Sequence, residues 1–233
     1  LGRVIPIVTE PELRKAPKSP QQLQQELDEE LRSAISLEEK RSLLNAFKDR
    51  EMLRIDMRHV LGHQDSFTGF SHELSDMADV IVETACRVCE AELREQFGSP
   101  QLVDGRSCRM VILALGKSAG RELGFASDIE LMFLYEDTGY TNGPRSISNE
   151  EYFDRLVDLF VKSIHSRRKG VFEIDLRLRP HGKAGSRSVT VETFRRYFSS
   201  TGPAWPFERQ ALVKMRPIAG DRELGEEIVA IRD

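Results

Sequence analysis

The sequence predicts an α+β fold in which a bundle of about three helices precedes a small mixed sheet. Apolar residues recur at spacings of three and four over 21–98, a period typical of amphipathic helices. After Pro100, short and nearly continuous apolar runs end at glycine or polar turns, as buried strands do. We therefore divide the chain into an extended segment over 1–20, a helical bundle over 21–100 and a second domain over 101–233.

The predicted bundle has recognisable helix boundaries. An apolar stripe with a spacing of four marks the first helix, at Leu23, Leu27, Leu31 and Ile35. Ser36 and Glu39 form a capping-box pattern that starts the second helix, which we expect to end near Gly62. A third helix passes through Leu74 and Cys89 and ends at Gly98. Four prolines predict that 1–20 runs extended.

Strands and helices alternate in the second domain. Apolar runs predict strands at Arg109–Leu115 and Ile129–Tyr135, followed by a polar loop over Asp137–Asn149. Apolar periodicity predicts helices over 150–167, 190–199 and 206–216. Val171–Arg179 alternates apolar and charged residues, which predicts a strand with one face in the core and one face exposing Glu173, Asp175, Arg177 and Arg179.

Composition narrows the function classes. A formal net charge of −4 gives no global basic excess, which disfavours a nucleic-acid partner. No apolar run approaches the ~18 residues of a membrane span. Three cysteines make no even disulfide framework and favour the cytoplasm, and Cys86 and Cys89 are expected to pack in the core rather than bind zinc. Because the chain starts at Leu1, we expect a fragment of a longer protein.

Three acids predict a metal site. Asp128 and Glu130 are two apart on a strand and therefore point to the same face, while Asp175 lies on another predicted strand. Convergent carboxylates suit hard cations such as Mg²⁺, and these cations suit phosphate chemistry. The pattern therefore predicts an enzyme that transfers a nucleotidyl group.

The residues before these acids support this chemistry. Gly116-Lys117, ten further residues and Asp128-Ile129-Glu130-Leu131 fit the nucleotidyltransferase-superfamily pattern, although Lys117 stands where Gly or Ser is usual. A glycine turn lets backbone N–H groups approach a triphosphate. The acid pair would hold two Mg²⁺ ions, and Asp175 would complete the site and could accept the proton of the nucleophile.

Nearby polar residues have two interpretations each. Ser127 holds a phosphate or caps the turn before Asp128. Arg177 and Arg179 bind the triphosphate or form structural ion pairs. Lys183, between Gly182 and Gly185, closes over phosphate or belongs to a plain turn.

Three longer segments resemble the signatures of glutamine synthetase adenylyltransferases: GKSAGRELGFASDIELMFLYE, VFEIDLRLRPHGKAG and WPFERQALVKMRPIAGD. The resemblance implies a polymerase-beta-like nucleotidyltransferase domain that uses ATP as substrate to attach AMP to a tyrosine of glutamine synthetase, or removes it by phosphorolysis. It carries Asp128, Glu130 and Asp175 over as metal ligands. It also implies glutamine synthetase as partner, with a nitrogen-signalling regulatory protein and glutamine as regulators.

Two departures from the family pattern leave alternatives open. Glu130 stands where the family usually has Asp, and Ala119 stands where a glycine is usual. An enzyme of similar fold that acts on another protein or a small molecule is one alternative. A catalytically inactive regulatory unit is the other, and the direction of the reaction stays open.

Overall fold

The computed structural model describes residues 16–64 and 66–232, so most of the predicted extended segment lies outside the described residues. Within these described ranges, three helices come first: α1 (Pro20–Leu31), α2 (Leu37–Val60) and α3 (Phe67–Phe97). The predicted capping box of α2 is confirmed, because the Glu39 N–H donates to the Ser36 hydroxyl and the Ser36 N–H donates to the Glu39 carboxylate. Ile35 was wrongly placed in the apolar stripe. It lies beyond the end of α1 and is 93% exposed.

Five strands form a mixed sheet: β2 (Met110–Ala114), β3 (Ile129–Tyr135), β5 (Ile174–Asp175), β6 (Ser188–Thr190) and β7 (Arg216–Gly220). Two further strands, β1 (Pro100–Leu102) and β4 (Gly139–Thr141), form a separate antiparallel pair. β2 lies between β3 and β7 and is antiparallel to both. β5 and β6 share the other edge of β3, and each is parallel to it. The mixed α/β architecture agrees with the predicted α+β class.

The remaining helices join these strands: α4 (Gly116–Ala119), α5 (Asn149–Ser163), α6 (Val191–Phe198), α7 (Pro206–Ala211) and α8 (Arg222–Arg232). Two predicted helices were too long. The helix expected over 150–167 ends at Ser163, and the one expected over 206–216 ends at Ala211, so that Arg216 begins a strand instead. The predicted loop over 137–149 contains β4.

The sheet separates two apolar cores. Ile112, Ala114 and Phe133 face the core built with α1, α2, α3 and α5. Val111, Leu113 and Leu134 face the opposite way, against Phe194 of α6 and residues of α8, including Leu224 and Ile228. Because β2 and β3 are covered on both faces, their sequences read as continuous apolar runs. Cys86 and Cys89 are free thiols inside the first core, as expected. Among the described residues, no helix combines the length and apolarity needed to cross a membrane.

A buried ion-pair network joins α2 to α3. The Arg54 guanidinium is 1% exposed and bridges Glu51 at 2.6 Å and Glu73 at 2.8 Å. Arg58 also pairs with Glu73, and Lys18 pairs with Glu51. Burial alone would raise the pKa of Glu51, but the charges of Arg54 and Lys18 outweigh it and hold that pKa below its ordinary value. The pairing therefore keeps this buried carboxylate ionised.

Arg54→Ala should destabilise the protein by about 3 kcal/mol, because it leaves two buried carboxylates with incomplete compensation. Arg87→Ala is the matched control. Arg87 on α3 also pairs with an acid, Asp28, but it is 54% exposed, so its loss should cost less than about 1 kcal/mol. Urea unfolding followed by circular dichroism measures both values. Equal losses would contradict a structural role for the buried network.

Candidate functional site

Two strands place the acids side by side. β3 and β5 run parallel, with Glu130 opposite Asp175 in the register. The Ile129 N–H donates to the Glu173 carbonyl at 2.8 Å and the Leu115 N–H donates to the Glu130 carbonyl at 2.9 Å. Neighbouring strands lie about 4.8 Å apart, so the Cα atoms of the two acids are close neighbours.

The end of β2 makes room for Glu130. Gly116 follows this strand with a φ of +53°, and a Cβ built there would lie 1.6 Å from Glu130 Oε2. The carboxylate therefore lies directly against the glycine, in space that any other residue would fill. Lys117 is exposed and lies outside the cavity described below.

Asp128 directly precedes β3, and one oxygen of its carboxylate makes no hydrogen bond within the described part of the chain. Its Oδ1 atom is buried and has no hydrogen-bond partner among the described residues. The preceding Ser127 hydroxyl accepts the Gly124 N–H at 2.9 Å, which is the turn-capping interpretation of this serine. Its carbonyl accepts the Phe172 N–H at 3.0 Å and so ties this turn to the segment that leads into β5. An unpartnered carboxylate oxygen is available to a cation.

Asp175 is engaged by Arg177. The Arg177 Nε atom donates to Oδ1 at 3.0 Å and to Oδ2 at 2.8 Å, and Nη2 donates to Oδ2 at 2.5 Å. The Arg177 backbone N–H donates to Oδ1 at 2.8 Å. Hydrogen bonds from the Arg177 side chain are the main cause that holds the pKa of Asp175 below its ordinary value, and the charge of Lys183 adds to the effect.

An open cavity of about 480 Å³ lies beside Asp128 and Asp175. Its wall includes Asp128 and Asp175 together with a set of basic side chains, Lys169, Arg177, Arg179, Lys183 and Arg187. Five basic residues against the three acids at positions 128, 173 and 175 suit an anionic ligand that arrives with its own cation. Lys169 and Arg187 were not among the predicted site residues, although the basic run Arg167–Lys169 before Gly170 was a usable signal.

Arg179 has a structural function that the sequence did not reveal. Its Nε atom donates to the Ser186 carbonyl at 3.0 Å, and its other nitrogens bond the carbonyls of Leu176 and Gly185. Burial lowers the pKa of this guanidinium. Arg179 therefore fixes the loop that carries Lys183, while its side chain still forms part of the cavity wall.

The predicted long strand over 171–179 was wrong in extent. Regular pairing covers Ile174 and Asp175 alone, because Phe172 turns the backbone at a φ of +55°. The strict alternation also fails. Leu176 packs on the first core and Leu178 on the second.

The three acids do not form a preassembled metal cage. No group of three or more His, Cys, Asp or Glu side chains within 16–64 and 66–232 is arranged to hold a metal ion. The carboxylate of Asp175 is directed at Arg177, and that of Glu130 lies against Gly116. The donor set still fits a hard cation, because Asp128 has its free buried oxygen and the register keeps Glu130 next to Asp175.

Helix α3 supports the glycine turn, which the sequence analysis did not predict. Arg216 donates to Asp79 of α3 at 2.7 Å and 3.1 Å, and also to the Ser118 and Ala119 carbonyls. One turn to each side, Asp76 pairs with Arg121 and Glu83 accepts the Gly220 N–H. Burial raises the pKa of all three helix acids. Acids spaced three and four apart on this helix, at positions 76, 79 and 83, were the available signal.

Gly116→Ala should destabilise the protein by about 2–3 kcal/mol, because a side chain at positive φ costs about 1–2 kcal/mol and the new Cβ also displaces Glu130. Gly62→Ala is the matched control. Gly62 has a φ of +71° with no atom within 4 Å of a built Cβ, so only the backbone cost applies. Urea unfolding compares the two variants. Equal losses would show that the contact with Glu130 carries no energy.

Arg177→Ala should raise the pKa of Asp175 towards its ordinary value, measured by ¹³C NMR of the carboxyl carbon. The folded pKa of Asp175 is depressed, so the stability that this group contributes is present above its unfolded pKa and is lost as pH falls through the folded pKa. The stability difference between wild type and Arg177→Ala should therefore stay constant above about pH 5 and shrink as pH falls below about pH 4. A difference that is independent of pH would contradict the ion pair.

Comparison with known proteins matches residues 3–230 to the glutamate-ammonia ligase adenylyltransferase family. The bifunctional glutamine synthetase adenylyltransferase/adenylyl-removing enzyme of Thioalkalivibrio sulfidiphilus is 36% identical over 190 residues, covering 80% of this chain and 19% of that protein. The protein of the same name from Pseudomonas aeruginosa is 33% identical over 219 residues, covering 92% of this chain and 22% of that protein. The chain thus spans about a fifth of these relatives. It belongs to the glutamate-ammonia ligase adenylyltransferase family.

Proposed function

We propose that this chain is a metal-dependent nucleotidyl-transfer unit with a polymerase-beta-like nucleotidyltransferase domain over 101–233. It would attach AMP from ATP to a tyrosine of glutamine synthetase, or remove that AMP by phosphorolysis. The observation that carries the proposal is the parallel register of Glu130 with Asp175, beside Asp128 and a basic cavity. The names of the relatives support both the acceptor and the two directions.

The acidic and the basic side chains of the site have different roles. Asp128, Glu130 and Asp175 would hold the cations, and Asp175 would also accept the proton of the attacking hydroxyl. Two Mg²⁺ ions, when bound, supply activation of that hydroxyl and neutralise charge on the leaving pyrophosphate. Arg177, Arg179 and Lys183 attract and orient the triphosphate, since their charges surround one cavity.

The glycine turn has a separate task in this proposal. Gly116 would let backbone N–H groups of the turn approach the triphosphate without a side chain in the way. We place the reaction in the cytoplasm, in keeping with three free cysteine thiols. A nitrogen-signalling protein and glutamine would act as regulators through the longer protein.

A catalytically inactive regulatory unit is the second candidate. Glu130 in place of the family's usual Asp and the Arg177 side chain on Asp175 favour it. Binding of ATP together with a divalent cation separates the two candidates. An inactive unit that has lost the site would bind neither.

Asp128→Asn should lower AMP transfer by at least about 100-fold, because it removes a carboxylate that holds the metal. Labelled ATP, Mg²⁺ and unmodified glutamine synthetase measure the forward reaction, and adenylylated glutamine synthetase with phosphate measures phosphorolysis. Asp104→Asn is the control, since Asp104 lies in an exposed turn after β1 and should leave both rates unchanged. Wild-type protein that binds metal and ATP but transfers nothing in either direction would overturn the proposed reaction.

A further inference from the structure

Arg177 occupies both oxygens of the Asp175 carboxylate. Its guanidinium makes three hydrogen bonds to them, and its backbone N–H makes a fourth. The single Nε hydrogen is shared between the two oxygens, so three N–H groups make four contacts, about as many as an ionised carboxylate has lone-pair positions. A metal ion on Asp175 would therefore compete with the guanidinium.

The guanidinium is held by charge rather than by packing. The Arg177 side chain is 69% exposed, whereas Asp175 is 12% exposed. The exposed side chain can leave without disturbing the core, and an arriving cation would take over its charge beside the less exposed carboxylate. The backbone N–H of Arg177 stays in place when the side chain moves, and it keeps the Asp175 carboxylate oriented. The carboxylate is therefore preserved in position while its partner is exchangeable.

Arg177 is also close to the other two acids. It lines the same cavity as Asp128, and its partner Asp175 lies opposite Glu130 in the strand register. The guanidinium thus places a positive charge near closely spaced carboxylates, which need one when they are ionised together. This is the electrostatic function that a divalent cation performs in the proposed reaction.

The cavity offers the displaced side chain a new partner. Among its other arginines, Arg179 is bound to loop carbonyls and Arg187 is paired with Asp158. Arg177 shares this cavity with Lys183, and both side chains are exposed. A triphosphate that enters with its cation would therefore meet Arg177 as the cation replaces it on Asp175.

We propose that Arg177 is a displaceable counterion of Asp175, which excludes a free divalent cation and passes to the triphosphate when cation and nucleotide bind together. Arg177 is thus a positioning residue that makes cation binding depend on nucleotide. The inference rests on the proposed function, because it requires that Asp175 is a metal ligand.

Titration with Mn²⁺, followed by its electron paramagnetic resonance signal, tests the exchange. Without nucleotide, Arg177→Ala should bind Mn²⁺ about two- to fivefold more tightly than wild type, which is the range that an exposed ion pair supports. With a non-hydrolysable ATP analogue, the same variant should bind the Mn²⁺–nucleotide complex about tenfold more weakly, because a charged contact to phosphate is lost. Opposite effects on the two ligands are not expected from a general loss of structure.

Arg106→Ala is the matched control. Arg106 is also 69% exposed and also pairs with an acid two residues earlier, Asp104, through its side chain at 2.8 Å and its backbone N–H at 3.0 Å. It lies outside the cavity, so both affinities should stay at wild-type values. Adding Asp175→Asn to Arg177→Ala should remove the gain in Mn²⁺ affinity, whereas a general field effect would persist through Asp128 and Glu130.

Each outcome assigns the failure to one hypothesis. An Arg177→Ala variant with unchanged or weaker Mn²⁺ affinity overturns the exchange, as does a gain that survives Asp175→Asn. Wild-type protein that binds no Mn²⁺ even with the nucleotide overturns the proposed function itself. Thermal unfolding monitored by circular dichroism verifies that each variant is folded, and Arg177→Gln repeats the test with a side chain closer in size.

Discussion

The parallel pairing of β3 with β5 is the constraint on which the site depends. Only two residue pairs form it, and a slip of one residue would turn Asp175 to the opposite face of the sheet. Phe172, two residues before β5, fixes this register. It is buried with a φ of +55°, its N–H is bonded to the Ser127 carbonyl, and the Lys48 ammonium lies 5.4 Å from its ring. Lys48, from α2, is itself buried and donates to the His165 carbonyl. The helical bundle therefore holds the edge strand that carries the third acid.

Ion pairs have different functions in the helical bundle and at the site. In the bundle, Arg54 is buried with Glu51 and Glu73, where removing one partner leaves an uncompensated charge. At the cavity, Arg177 is exposed, so its side chain can leave Asp175 without disturbing the core. The first arrangement fixes two helices, whereas the second keeps a carboxylate oriented while its partner can be exchanged. Burial, rather than the type of ion pair, decides which function each one performs.

Long periodic elements could be predicted from the sequence, and short or irregular ones could not. α2, α3, β2 and β3 are dominated by local patterns of capping and apolar residues, so their positions were predicted closely. Arg216–Gly220 contains a proline, and its pairing with β2 includes a register shift, so its strand identity depends on tertiary contacts. The three acids were predicted as a site from their strand spacing, the preceding glycine turn and the family resemblance, and their role stays a prediction. Their partners were not predicted, because the pairing of Arg177 with Asp175 and of Arg216 with Asp79 depends on side-chain direction and on contacts distant in sequence.

The acidic stripe of α3 has a mechanical consequence for a larger assembly. This helix has 31 residues, so it is about 46 Å long and acts as a stiff rod. It forms ion pairs and a hydrogen bond with the turn after Gly116 and with both ends of β7, through Asp76, Asp79 and Glu83. A force that rotates or translates α3 would therefore also shift the turn after Gly116. By thermodynamic reciprocity, a ligand that tightens the turn would also resist displacement of the rod.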